Sequence, residues 1–103
     1  MKIEVLYVEG CPHFPATVNA VKRVLWQLSL VCPIVETKVG DQNTAMSIGL
    51  LGSPTVRING VDVEPSARQR ISFGLMCRRY EGSGGVPSEE LIRSAIVESR
   101  KSE

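Results

Sequence analysis

The chain has 103 residues, of which 43% are hydrophobic and 22% charged, and its formal net charge is +1. This balance is typical of one globular domain, which we expect to span residues 1–103. The near-neutral charge gives no electrostatic reason to expect binding to nucleic acid or to a membrane surface. No apolar run approaches the roughly 18 residues of a membrane span. With three cysteines and no leader pattern at the N-terminus, we expect a cytoplasmic protein with reduced thiols.

The first half of the sequence predicts a strand, a helix and a second strand. Lys2–Val8 is rich in β-branched and aromatic residues and is followed by Gly10, which is typical of a buried strand. Ala16–Leu30 repeats apolar residues at spacings of three and four, the pattern of an amphipathic helix. Residues 34–39 alternate, which predicts a second strand. This order is most simply a right-handed crossover that joins two parallel strands.

The second half predicts a short helix, a β-hairpin and a final helix. Thr44–Leu51 has enough apolar residues for a short helix. In Ser53–Glu64 the dipeptide Asn59-Gly60 stands between alternating apolar residues, which is the strongest short signal for two antiparallel strands. Ser88, followed by two acidic residues, predicts the N-cap of the last helix.

Residues 65–87 separate the hairpin from the last helix and end in a glycine-rich stretch. We expect an irregular insertion here, in which residues 71–80 form a short helix or a packed loop. The insertion is also locally basic, and solvated surface is the ordinary interpretation of such a run. Its basic residues are Arg68, Arg70, Arg78 and Arg79.

The motif with the clearest chemical content is Cys11-Pro12-His13-Phe14, between the first strand and the first helix. A cysteine at the positive end of a helix dipole is favoured as the thiolate, which makes its sulfur a nucleophile. Pro12 fixes a φ suited to entering a helix, and a protonated His13 would favour the thiolate further. Phe14 stands where a C-x-x-C centre has its second cysteine. The alternatives are a small buried hydrophobe at Cys11 and an exposed loop residue at His13.

The predicted order β-α-β-α-β-β-α resembles the thioredoxin-like fold in its compact glutaredoxin-like form. The resemblance is carried by Cys11 at the first helix and by Ser53-Pro54 before the third strand. Residues 51–56 and 73–80 further resemble small bacterial thioredoxin-like proteins of poorly defined function. The resemblance implies an α/β fold with a four-stranded mixed sheet flanked by helices. It also implies a cis Ser53–Pro54 bond, with Pro54 against Cys11 and the Ser53 backbone facing a bound peptide or glutathione.

These residues predict a thiol-disulfide oxidoreductase-like protein, although enzyme activity stays open. Cys11 would attack a protein or small-molecule disulfide, with glutathione as one candidate partner and with no cofactor. Cys77 or glutathione would resolve the mixed disulfide, and Cys32 is expected to be structural. The guanidinium groups of Arg78 and Arg79 would stabilise a thiolate or hold an anionic substrate. The expected substrate contacts are Pro12, His13, Ser53, Pro54 and Arg78.

Two other functions stay open at this point. Cys11 and Cys77, with or without His13, would suit a protein that binds or transfers a soft metal ion such as mercury or copper. No C-x-x-C or H-x₃-H spacing accompanies them. A chain without the second cysteine would also suit a non-catalytic binding module that has kept the fold and lost redox turnover.

Overall fold

A four-stranded mixed sheet organises residues 1–101, the part of the chain that the computed structural model describes. The strands are Ile3–Tyr7 (β1), Ile34–Lys38 (β2), Leu51–Ser53 (β3), Thr55–Ile58 (β4), Val61–Asp62 (β5) and Gly74–Cys77 (β6). The helices are Phe14–Gln27 (α1), Gln42–Ile48 (α2) and Glu89–Lys101 (α3). Within these residues no helix has the length and apolar character needed to cross a membrane. Ser102 and Glu103 of the predicted domain lie outside the described part.

The main sheet has the strand order β2-β1-β4-β5. β1 is parallel to β2 and antiparallel to β4, and β5 returns antiparallel beside β4. β3 and β6 form a separate parallel pair. The predicted α/β class and four-stranded mixed sheet are therefore confirmed, with β3 and β6 added to the expected elements.

Two apolar clusters hold helices against opposite faces of this sheet. Alternate residues of a strand point to opposite faces, so Val5 and Leu6 belong to different clusters. The larger cluster packs β1 and β4 against α1 and α3, and the smaller one packs β1 against α2. The larger cluster includes Ile3, Val5, Val21, Val24, Val56, Ile58, Ile92 and Ile96. The smaller consists of Leu6, Val39, Ala45 and Leu50.

Helix α1 begins two residues before the predicted start and ends three residues before the predicted end. Pro15 occupies the first turn, where a missing N–H costs nothing, so the helix extends back to Phe14. At the other end, Ser29 adopts a left-handed φ of 55°. The Leu30 N–H then donates to the Leu25 carbonyl at 2.9 Å, the pattern that closes many helix C-termini.

The predicted hairpin turn and the N-cap of the last helix are confirmed, whereas α2 covers Gln42–Ile48 instead of the predicted Thr44–Leu51 because Gly49 ends it and Leu51 begins β3. Asn59 and Gly60 both have positive φ, 53° and 80°, as a tight hairpin turn requires. The Ser88 hydroxyl accepts the Leu91 N–H at 3.1 Å, which makes Ser88 an N-cap. Asp41 caps α2 in the same way, and the hydrogen bond from the Thr44 N–H lowers the pKa of the Asp41 carboxyl.

The prediction of a helix or packed loop at residues 71–80 was wrong, because this segment contains strand β6. Its N–H groups pair with β3: Gly74 donates to the Leu50 carbonyl at 2.9 Å and Arg78 to the Ser53 carbonyl at 3.0 Å. The apolar pattern was misleading because Met76 is 47% exposed while Arg78 is 3% exposed. The strand turns a charged side chain inward, so its hydrophobicity does not alternate as that of an ordinary strand does.

Candidate functional site

Cys11 lies in the turn that joins β1 to α1 and is half-buried. Its N–H donates to the Val8 carbonyl at 3.2 Å, and Gly10 takes a φ of 78° within that turn. The Cys11 carbonyl accepts the Phe14 N–H at 3.4 Å. Cys11 therefore lies in the β1–α1 turn, three residues before Phe14, the first residue of α1.

Phe14 is an aromatic anchor at the position where a C-x-x-C centre has a second thiol. Its ring stacks on that of Tyr7, with centroids 3.7 Å apart and an interplanar angle of 14°. Because Tyr7 ends β1 and Phe14 begins α1, the stack holds the two elements together around the Cys11 turn. Phe14 thus stands in place of the second cysteine of a C-x-x-C centre and also stabilises the turn that carries Cys11.

The backbone of His13 caps α1, and its imidazole packs against the glycine-rich end of the insertion. The His13 carbonyl accepts the Thr17 N–H at 3.1 Å and the Thr17 hydroxyl at 2.8 Å. A Cβ added at Gly85 would lie 2.5 Å from His13 Nε2, closer than atoms approach in proteins. Only glycine lets residue 85 approach this ring, so the insertion reaches the Cys-Pro-His segment. Pro12, between Cys11 and His13, is exposed.

Ser53 and Pro54 lie at the same edge of the sheet as the Cys11 turn, because Leu6 near the end of β1 pairs with Thr55 at the start of β4. The Ser53–Pro54 peptide bond is cis, as expected. The Ser53 hydroxyl accepts the Val8 N–H at 3.0 Å. Since the Val8 carbonyl accepts the Cys11 N–H, Val8 links the Ser53–Pro54 turn directly to the thiol-bearing turn.

Strand β6 brings Cys77 beside Ser53 in the parallel β3–β6 pair. Cys77 is exposed, and all three cysteines of the chain are free thiols. The close pairing depends on Gly52, whose φ is 102° and where a Cβ would lie 3.0 Å from the Met76 carbonyl oxygen. Cys32 lies at the other end of the sheet, where its thiol contacts the Met1 carbonyl at 3.4 Å. Cys77 is thus paired with Ser53, Cys11 is linked to Ser53 through the backbone of Val8, and Cys32 lies apart from both.

A buried ionic cluster lies beneath this edge and was not predicted from the sequence. The Arg78 guanidinium donates to both oxygens of Asp62, at 2.7 and 2.8 Å, and to Glu64 at 3.3 Å. It also lies 4.2 Å from the centre of the Tyr80 ring. Asp62 and Glu64 are 7% and 2% exposed. Arg78, expected to contact a substrate, instead directs its charge into the interior.

Arg78 and Tyr80 of this cluster bind all three residues from Ser53 to Thr55, a segment that we call the 53–55 turn. The Arg78 N–H binds the Ser53 carbonyl, and the Tyr80 hydroxyl donates to the Pro54 carbonyl at 2.6 Å. Arg78 Nη1 donates at 3.1 Å to the Thr55 hydroxyl, which itself donates to Gly52. The insertion therefore positions the turn that borders Cys11.

The ionisation of the cluster follows from its burial and its charges. Burial acts to lower the pKa of Arg78, but the hydrogen bonds and negative charges of Asp62 and Glu64 outweigh it, so this pKa is raised. Burial also raises the pKa of Tyr80, and the nearby carboxylates add to the effect against the opposing charge of Arg78. Arg78 stays a cation and Tyr80 a neutral hydrogen-bond donor across the ordinary pH range.

The alternative function, binding or transfer of a soft metal ion, depends on the thiols of Cys11 and Cys77. Within residues 1–101 no group of three His, Cys, Asp or Glu side chains is placed to hold a metal ion. Structural zinc sites usually have four protein ligands and catalytic zinc sites three. The residues around Cys11 and Cys77 therefore supply fewer donors than such sites ordinarily use.

No protein-family model matches the chain, and no curated protein or solved structure matches it either. The function is therefore inferred from the chain's own residues. Those that bear on it are Cys11, the Ser53–Pro54 turn and the β6 segment that pairs with it.

We predict that Arg78→Gln destabilises the protein by about 3–5 kcal/mol, because it leaves the buried Asp62 carboxylate without its cation and Glu64 with only the half-exposed Arg70. The measurement is the free energy of unfolding from urea titration. Arg79→Gln, which removes the same charge from an exposed neighbour, is the matched control and should change stability by less than about 0.5 kcal/mol. Equal effects of the two changes would contradict the assigned role of Arg78.

We also predict a loss of stability in alkaline solution that depends on Tyr80. Because folding raises the pKa of Tyr80, its contribution is complete below the ordinary tyrosine pKa of about 10 and is lost as the pH rises above it. The free energy of unfolding should then fall by about 1.4 kcal/mol per pH unit from this group. Tyr80→Phe should remove that part of the slope, and Tyr7→Phe is the control. A slope unchanged by Tyr80→Phe would refute the prediction.

Proposed function

We propose that this protein is a thiol-disulfide exchange protein of thioredoxin-like fold, with Cys11 as the nucleophile. The observation that carries the proposal is the placement of Cys11 before α1, linked through Val8 to the Ser53–Pro54 turn. A thiol at a helix N-terminus has the positive surroundings that activate cysteine. The element order and the Ser53–Pro54 turn agree with the resemblance seen in the sequence.

The first step forms a mixed disulfide. The Cys11 thiolate attacks one sulfur of a substrate disulfide, the substrate S–S bond breaks, and its other sulfur leaves as a thiolate that takes a proton. In the second step another thiolate attacks the Cys11 sulfur and releases the remaining half of the substrate as a thiol. Two thiols are oxidised to one disulfide while the substrate disulfide is reduced to two thiols.

Cys77 is our candidate for the second thiol within the chain. It is exposed and pairs in register with Ser53, and Ser53 shares Val8 with Cys11 as a hydrogen-bonding partner. Phe14 leaves no thiol within the first turn of α1, so a resolving cysteine has to come from elsewhere. Free glutathione is the alternative resolving thiol, and both routes suit the reducing cytoplasm.

The pairing of β6 favours a small disulfide as substrate over an extended protein segment. A strand-like substrate would need the backbone of Ser53, but the Ser53 carbonyl already accepts the Arg78 N–H at 3.0 Å. Pro12 and His13, which follow Cys11 in the chain, are exposed and remain the candidate substrate contacts. We therefore propose a small disulfide, such as a mixed disulfide of glutathione with another small thiol, as the substrate class, with glutathione as the reductant that returns the protein to its thiol form.

The proposal is tested by the rate at which the protein reduces the mixed disulfide of glutathione and 2-mercaptoethanol, with excess glutathione as the reductant and the glutathione disulfide formed as the readout. Cys11→Ser should reduce the rate to that of the uncatalysed reaction, because the attacking sulfur is gone. Cys32→Ser, at the far end of the sheet, is the matched control and should keep the full rate. A Cys11→Ser protein as active as the control would refute the proposed nucleophile.

Mass spectrometry of protein treated with a small excess of glutathione disulfide tests the role of Cys77. The unaltered protein should lose two hydrogens and carry a Cys11–Cys77 disulfide. Cys77→Ser should instead retain one glutathione at Cys11, because the remaining thiol, Cys32, lies at the far end of the sheet. If the unaltered protein also retains glutathione at Cys11, resolution depends on an external thiol and Cys77 has no such role.

A further inference from the structure

A basic cleft lies between the end of α2, the β4–β5 turn and residues 68–73 of the insertion. Its volume is about 420 Å³, within the range of sites that bind small molecules. Its walls include three arginines and one aromatic ring, from Arg57, Arg68, Arg70 and Phe73. We call these four residues the arginine cleft. Neither Cys11 nor Cys77 lines it, and the proposed thiol chemistry makes no use of it.

Two of the three guanidinium groups are oriented by backbone carbonyls. Arg57 Nη2 donates to the carbonyls of Ile48 and Gly49, at 2.8 and 3.0 Å. Arg68 Nε donates to the Asp62 carbonyl at 2.9 Å. Groups that are already held in place lose less freedom when a ligand binds. Backbone carbonyls also orient a guanidinium without cancelling its charge.

The carboxylates near the cleft do not neutralise it. Asp62, which lines the cleft, has both of its oxygens bound to Arg78. Glu64 is also bound to Arg78 and lies 3.8 Å from Arg70. Glu98 lies 3.6 Å from Arg68 and is 65% exposed, so that pair contributes little. The four arginines at positions 57, 68, 70 and 78 are therefore matched by three carboxylates, those of Asp62, Glu64 and Glu98, and one positive charge is left over.

Phe73 gives the cleft an apolar wall beside these charges. Its ring edge approaches Gly49 so closely that a Cβ there would lie 3.4 Å away. A guanidinium presents two parallel N–H donors that match the oxygens of a phosphate. An aromatic wall next to such donors suits the organic part of a phosphate ester.

We propose that the arginine cleft binds a phosphate group, either as free phosphate or as a small phosphate monoester. Arg57 and Arg68 would supply oriented donors. Arg70, whose side chain is 50% exposed, would close over the anion from the solvent side. Phe73 would contact the ester group. The insertion would then serve a second purpose, since Arg68, Arg70 and Phe73 all come from it.

The test is isothermal titration of the unaltered protein with inorganic phosphate and with phenyl phosphate, in a chloride buffer of constant ionic strength. We expect saturable binding at one site. Arg70→Gln should weaken it about tenfold or more, because a hydrogen bond between charged groups is lost. Tighter binding of phenyl phosphate would assign the site to monoesters through Phe73, and equal binding would assign it to free phosphate.

Arg79→Gln is the matched control, since it removes an exposed charge from the same insertion and does not line the cleft. It should weaken binding by less than about twofold. Arg57→Gln should weaken binding like Arg70→Gln; if it unfolds the end of α2, the half-exposed Arg70 decides the test. No saturable heat up to about 10 mM phosphate, or equal weakening by Arg70→Gln and Arg79→Gln, would overturn the proposal.

Discussion

A guanidinium removed from water is stable only where acceptors surround it, and this requirement fixes the position of Arg78. Asp62 and Glu64 supply the charge from the hairpin, and the Tyr80 ring covers the group at 4.2 Å. Since the acids and the arginine come from segments far apart in the chain, their pairing decides where the insertion lies. Strand β6 therefore lies beside β3. Arg78 and Tyr80 bind the Ser53 and Pro54 carbonyls and the Thr55 hydroxyl of the 53–55 turn.

If the proposed function holds, the same arrangement gives a chain with one cysteine before its first helix a second thiol from elsewhere in the fold. Phe14 occupies the position of the second cysteine of a C-x-x-C centre. By stacking on Tyr7 it stabilises the turn that carries Cys11. The insertion supplies another thiol, Cys77, beside Ser53. Its far end packs at Gly85 against His13. The insertion thus contacts both Ser53, which is linked to Cys11 through Val8, and His13, which lies two residues after Cys11.

Elements with local signals could be predicted from the sequence, and those that depend on distant partners could not. The Asn59-Gly60 turn and the Ser88 cap follow from a few neighbouring residues, and the cis Ser53–Pro54 bond followed from a family resemblance alone. β6 was missed because its partner lies some twenty residues away and its inward side chain is charged. A usable signal was present: Asp62 and Glu64, like Arg78 and Tyr80, are two residues apart, the spacing that places side chains on one face of a strand.

The central claim is that the insertion is an integral part of the fold, held by Arg78 against the 53–55 turn. Hydrogen exchange of the Arg78 backbone amide tests this most directly, with the Val63 amide, which donates to Val56 in the hairpin, as the internal reference. The account predicts that both amides exchange equally slowly, through global unfolding. Exchange of the Arg78 amide at a rate near that of an open loop, while Val63 stays protected, would contradict it.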